Sequence, residues 1–224
     1  MDYCITKTDI AEDGYYIGAT YLAAPFSGTL SADPDLGRIK FRHPLNVTGD
    51  IVFGERTGLQ VDGSISCGGL LKVGCGIIAI ENIASERGIY AGAGIQSLNG
   101  SISTVHSIKA GRSIIAGVGL EAIGRIDAGE NIFAGRSIRA GQHLTSGRGI
   151  SANEEIVAGG KLEAVRGITA GFSIDADIIS CNLRIMAGLC RFRLPQPEET
   201  EVRFRLFEKG DIAFGRAVQK NLSA

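Results

Sequence analysis

From Phe41 to Cys190 the chain returns to a large apolar residue at every sixth position, and two places further on it carries a small one. The register begins Phe41, Val47, Phe53, Leu59, Ile65, Leu71, Ile77, Ile83, Ile89, Ile95. One extra residue intervenes, the beat resumes at Ile102 and holds through Ile114, Ile132 and Ile150 to Ile174, and a short step leads to Ile179 and Ile185. The small positions include Ala116, Ala134, Ala152 and Ala170, and the next place is most often Gly, as at Gly111, Gly129 and Gly147.

On an extended strand, residues two apart share a face, so the large and the small residue both point inward and the one between them points out. An amphipathic helix would instead repeat its apolar residues at three and four. Three residues of strand and three of bend suit a coil that pairs its backbone with the coils above and below, and the glycines are expected to supply positive φ at the corners. The pattern therefore predicts an all-β chain, a three-sided parallel β-helix of the hexapeptide-repeat kind. Roughly 25 units at three per turn give about eight coils and a rod of about 40 Å. The predicted organisation is an N-terminal cap at 1–40, the solenoid at 41–190 and a C-terminal β-strand cap at 191–224.

The termini lose the beat. Residues 1–40 carry Tyr3, Tyr15, Tyr16, Tyr21 and Phe26, which suit a plug over the first coil, whose open edge and apolar interior would otherwise template association. Beyond Arg191, the runs Arg191-Phe192-Arg193-Leu194 and Val202-Arg203-Phe204-Arg205-Leu206 alternate apolar with basic, as half-buried strands do. They are expected to form a small antiparallel cap. Its arginines read as a solvated face, with an anion-binding or partner-binding edge as the sharper alternative.

Composition fits a narrow rod: 32 Gly, no Trp and 6% aromatic residues in 224. A net charge of −1 gives no long-range attraction to nucleic acid or an anionic membrane. No segment is apolar enough to span a bilayer, and Asp2, Asp9, Glu12 and Asp13 stand where a signal peptide would be basic, so a cytoplasmic location is expected. Cys67 and Cys181 occupy inward small slots, where a reduced thiol packs as an apolar group, and Cys4, Cys75 and Cys190 form no paired metal motif.

Packing commits the inward residues, which leaves function to the outward ones. Taking every third unit, one wall stacks Gln60, Ile78, Gln96, Ile115, Phe133, Ser151 and Thr169. A second stacks Lys72, Tyr90, Lys109, Asp127, Thr145 and Glu163, and a third Ser66, Ala84, Ser103, Glu121, Arg139, Val157 and Asp175. The first wall thus exposes Ile78, Ile115 and Phe133 with Gln96 between them, a strip of the kind that marks a protein interface. Catalysis finds little to work with. His43, His106 and His143 lie in no HExxH or Cys/His cluster, Glu154 and Glu155 are neighbours in a bend, and Gly92-Ala93-Gly94 lacks the helix a phosphate loop needs. No enzymatic activity, cofactor or metal is expected.

Two resemblances bear on this reading. The use of three six-residue edges per coil resembles the hexapeptide acyltransferases, which implies a trimer with a ligand pocket around a histidine such as His106 or His143. Here the unit runs aliphatic-x-small-Gly, where theirs runs small-x-aliphatic-Gly. Val47-Thr48-Gly49-Asp50-Ile51 and Val61-Asp62-Gly63-Ser64-Ile65 resemble the Val-x-Gly-x-Ile steps of bactofilins, polymer-forming bacterial β-solenoids. That likeness covers 41–190 and departs at the ends, where folded caps would block polymerisation. With the rule for parallel crossovers it favours a right-handed coil. The expected function is a non-enzymatic scaffold that assembles with itself or a protein partner through an exposed wall or cap. The alternatives are a phage-type inhibitor of a host defence complex and a hexapeptide-type acyltransferase.

Overall fold

A computed structural model describes residues 2–18 and 25–220; Tyr21, counted above among the plugging aromatics, lies outside them. The described residues form a parallel β-solenoid of 27 strands, most of them three residues long. From Thr57–Val61 to Ile138–Ala140 each strand pairs with the third one before it and the third one after it, which is the signature of three walls. Ile132–Ala134 sits between Ile114–Ala116 and Ile150–Ala152, with Ile114, Ile132 and Ile150 in line and Ala116, Ala134 and Ala152 in line.

Burial alternates as the pattern demands. In the central coils the inward residues are closed off, with Ile114, Ala116 and Ala134 at 0% exposure. Each enclosed Ile removes a full aliphatic side chain from water, about 2–3 kcal/mol, and the coils above and below take up the backbone hydrogen bonds of a segment too short to form a sheet alone. The small inward slot is graded along the rod. It holds Phe41, Val47, Phe53, Val61 and Val73 in the first coils and Ala in most of the later ones, so the side chains filling it shrink toward the C-terminus. Phe41, Val47 and Phe53 thus follow Ile39, Leu45 and Ile51, the large inward residues in line with Leu59, Ile65 and Leu71, rather than heading their units as the six-residue count has them.

Three further expectations are corrected. The coils number about 11 rather than eight, because stacking runs into both terminal regions. Tyr3–Ile5 pairs with Leu30–Ala32, which pairs with Ile51–Phe53. At the other end the predicted antiparallel cap is parallel: Ile174–Met186 pairs with Glu201–Phe204 and Leu206–Phe214, and Glu201–Phe204 with Arg216–Gln219. Alternation told which face of these strands is buried and carried no information about the direction of the neighbour. The detour through Gly188–Thr200 erased the six-residue beat that would have supplied it.

The third correction concerns glycine. None of Gly111, Gly129 and Gly147 has a positive φ. A Cβ on Gly147 would lie 2.1 Å from the Gly129 carbonyl oxygen, and one on Gly129 would lie 2.2 Å from that of Gly111. Glycine is needed here because successive coils bring backbone onto backbone.

The N-terminal end is plugged by aromatic rings. Tyr16 packs on Phe41 with centroids 5.3 Å apart and meets Tyr3 edge-on at 6.5 Å. Tyr15–Tyr16 joins the first wall beside Lys40, and Ile10 bridges Tyr16 in antiparallel fashion on its outer side. At the C-terminal end Phe204 and Phe207, 5.2 Å apart, fill the last coil.

Candidate interaction surface

The three walls predicted from the sequence are those observed. Gln60, Ile78, Gln96, Ile115, Phe133, Ser151 and Thr169 are consecutive partners on one wall, and Met186 and Phe214 extend it. From Gln60 onward this column holds no charge. The second wall carries Lys72, Lys109, Asp127 and Glu163, and the third Glu121, Arg139, Asp175 and Arg203. In a chain whose residues are 21% charged, a column neutral from Gln60 to Phe214, with Lys40 one rung before it, stands apart from its two neighbours.

The structure brings the four predicted interface residues together. Ile78 lies opposite Gln96, Gln96 opposite Ile115, and Ile115 opposite Phe133, on rungs about 4.8 Å apart. Ile115 and Phe133 are each 37% exposed, while Ile78 and Gln96 are half-buried. Exposure is limited because each side chain lies against those of the adjoining rungs, so the surface is smooth. Sequence reasoning missed Ile80 and Leu98, exposed at the corner that follows this wall. Leu98 lies one coil above Ile80, its amide donating to the Ala79 carbonyl. Their signal was in the sequence: they replace the Gly that usually opens the corner.

Other candidates are dispersed or occupied. His106 donates from Nδ1 to the Glu86 carbonyl at 3.1 Å, whereas Nδ1 of His143 accepts from the Lys161 amide at 2.9 Å. Two coils, about 10 Å of rise, separate the two histidines, and His43 is an exposed residue near the N-terminal end. Glu154 faces Arg136 and accepts from the Ser137 hydroxyl, while Glu155 pairs with Arg139 at 3.0 Å. No group of three or more metal-ligating side chains forms among the described residues. The third wall has a shallow depression of about 380 Å³ floored by Ser66, Ala84 and Ser103, with Val105 and Ile123 at its rim.

Of the C-terminal arginines, Arg193, Arg203, Arg205 and Arg216 are partnered, and Arg191 is exposed. Glu201, buried in the last coil, accepts from Arg203 Nε at 2.6 Å and from Arg216, and these two guanidinium groups, Arg216 first, lower its pKa. Arg205 faces Asp177 at 3.4 Å. Arg193 grips Glu199, and that contact, helped by the Gln196 amide, brings the Glu199 pKa down to about 2. These arginines close the terminal coil onto the rod instead of forming a free anion site. All five cysteines are free thiols. Burial raises the pKa of Cys67 and Cys181, which fill inward slots as the sequence indicated.

The geometry describes a stiff rod with one uncharged wall, and its class is the parallel β-solenoid. No family model matches the chain, and neither a curated protein nor a solved structure is significantly similar to it. No helix among the described residues is long and apolar enough to cross a membrane.

Proposed function

We propose that this protein is a non-enzymatic scaffold that binds a protein surface, a second copy of itself or another chain, through its uncharged first wall. The observation that carries the reading is the column from Gln60 to Phe214, free of charge, with Ile115 and Phe133 exposed at adjoining rungs. Apolar and amide groups on a rigid face lose little conformational entropy on docking, and an aromatic near the middle of such a face serves as an anchor. A phage-type inhibitor would use the same wall against a host complex; the identity of the captured chain separates it from a self-assembling scaffold.

Replacing Phe133 with Asp tests the reading. The side chain points outward, so the rod stays folded and loses only its stacking on the adjoining rungs, about 0.2–1 kcal/mol or a few degrees of melting temperature. Assembly mass by light scattering or capture of a partner falls. Unchanged mass together with unchanged capture contradicts it.

A second reading has its own support. Among the described residues, Leu206–Phe214 and Arg216–Gln219 are the outermost strands of the stack. This favours the bactofilin-like alternative, in which rods join end to end. Polymers in negative stain, persisting in Phe133→Asp, would select it.

A further inference from the structure

We propose that the occupant of the first wall is a second copy of this chain, packed side by side, parallel and in register. The inference rests on the reading of that wall as a docking face and adds its partner and geometry. Charge placement at the wall's two corners carries it. Within the rung of Ile132–Ala134, Glu130 lies at the corner leading into the wall and Arg136 at the corner leaving it. One rung further on, around Ile150–Ala152, the signs are reversed, with Arg148 entering and Glu154 leaving. Arg136 and Arg148 are exposed, and Arg148 has no ion-pair partner among the described residues.

A two-fold axis parallel to the rods lays the entering corner of one copy on the leaving corner of the other at equal height. Glu130 then meets the second copy's Arg136, and Arg148 meets its Glu154, on both sides of the contact. Along the middle, Ile115 and Phe133 each face their own counterparts, which an uncharged column permits and a charged one would forbid. A two-fold across the rods, centred on Phe133, would instead set Glu130 against Glu130 and Arg136 against Arg136. One centred between the rungs of Phe133 and Ser151 would pair Glu130 with Arg148 but set exposed Arg112 against exposed Arg166, a like-charge contact the parallel pair avoids by facing them with Val118 and Phe172. The area is compatible with a reversible pair. Rungs from Gln60 to Thr169 span roughly 34 Å, and a wall with its corners is roughly 17 Å wide, giving about 1,150 Å² in total, near the lower bound for specific interfaces. The expected dimer is therefore weak and concentration-dependent.

Sedimentation equilibrium across the micromolar range, with charge reversals, tests this. Glu130→Arg alone and Arg136→Glu alone each weaken the dimer, roughly three- to thirtyfold for two symmetric exposed pairs. Both changes in one chain restore it. Spin labels placed at Gln60 and, in a separate sample, at Thr169, with the accessible Cys4, Cys75 and Cys190 changed to Ser, report the orientation. In-register parallel rods give the same short separation at both sites; the crosswise pair centred on Phe133 gives about 38 Å and about 19 Å. A chain monomeric throughout, unequal distances, or a double reversal that fails to rescue would overturn the proposal. A monomer that loses another protein on Phe133→Asp would overturn it and leave the docking wall standing. A dimer indifferent to Phe133→Asp would remove both.

Discussion

Enlarging Ala134 to Leu probes how narrow the prism is. Ala134 is fully enclosed, and its neighbours in the adjoining coils, Ala116 and Ala152, are exposed by 0% and 2%. The added branch has to enter a layer already filled by inward Ile and Ala from three walls, which costs about 1–3 kcal/mol through displaced rotamers and backbone. For a chain of this length each kcal/mol lowers the melting temperature by about 2–4 °C, so the midpoint should fall by roughly 2–12 °C. Solenoids transmit strain mainly to nearest neighbours. Faster amide exchange should therefore centre on Ile114–Ala116 and Ile150–Ala152. Val61→Leu is the control: the same slot of the same wall, four coils nearer the N-terminus, already holds a branched side chain, so the change adds one carbon instead of three and should lose about 1 kcal/mol, the low end of the overpacking range. Equal losses in the two variants, or an Ala134→Leu protein that melts like the parent, would refute a closed core whose inward slot shrinks along the rod.

Gly129→Ala, whose Cβ would lie 2.2 Å from the Gly111 carbonyl oxygen, should cost about 1–3 kcal/mol in thermal melts, whereas Gly119→Ala, whose nearest contact is 3.5 Å, should stay within about 0.5 kcal/mol of the parent. Glu201 has a folded pKa below its unfolded value, so its contribution is complete above the unfolded pKa and is lost as pH falls through the lower folded one. The protection of Arg216–Gln219 amides, measured against their intrinsic exchange rates at each pH, should accordingly fall below about pH 4.5, and Glu201→Gln should remove that dependence. Alkylation followed by mass spectrometry should modify exposed Cys4 first, then Cys75 and Cys190, and should reach Cys67 and Cys181 only after unfolding.

Much of the fold was legible because a strand of three residues leaves no ambiguity about facing. Once Ile132 and Ala134 point in, Phe133 points out, and a strict six-residue period with three edges then sets Ile115 below it and Ser151 above. The first wall could be assembled from the sequence for that reason. What stayed hidden depends on contacts between coils or on segments of irregular length. Leu30–Ala32 and Glu201–Phe204 join the stack only after excursions that no period spans. The requirement for Gly129 comes from a carbonyl one coil away, which a positive-φ argument about a single bend could not foresee. The charge reversal between Glu130/Arg136 and Arg148/Glu154 was present in the letters. It acquired meaning only when the two corners were seen to flank one neutral wall.

The central claim is that the first wall does the binding, and a matched pair of substitutions addresses it most directly. Tyr90, on the second wall between Lys72 and Lys109, accepts an aspartate in a favourable field. Light scattering on Phe133→Asp and Tyr90→Asp at equal concentration should show assembly mass lost only in the first, with both proteins retaining the parent's β-sheet circular dichroism. Equal loss in the two variants, or loss confined to Tyr90→Asp, would contradict the account.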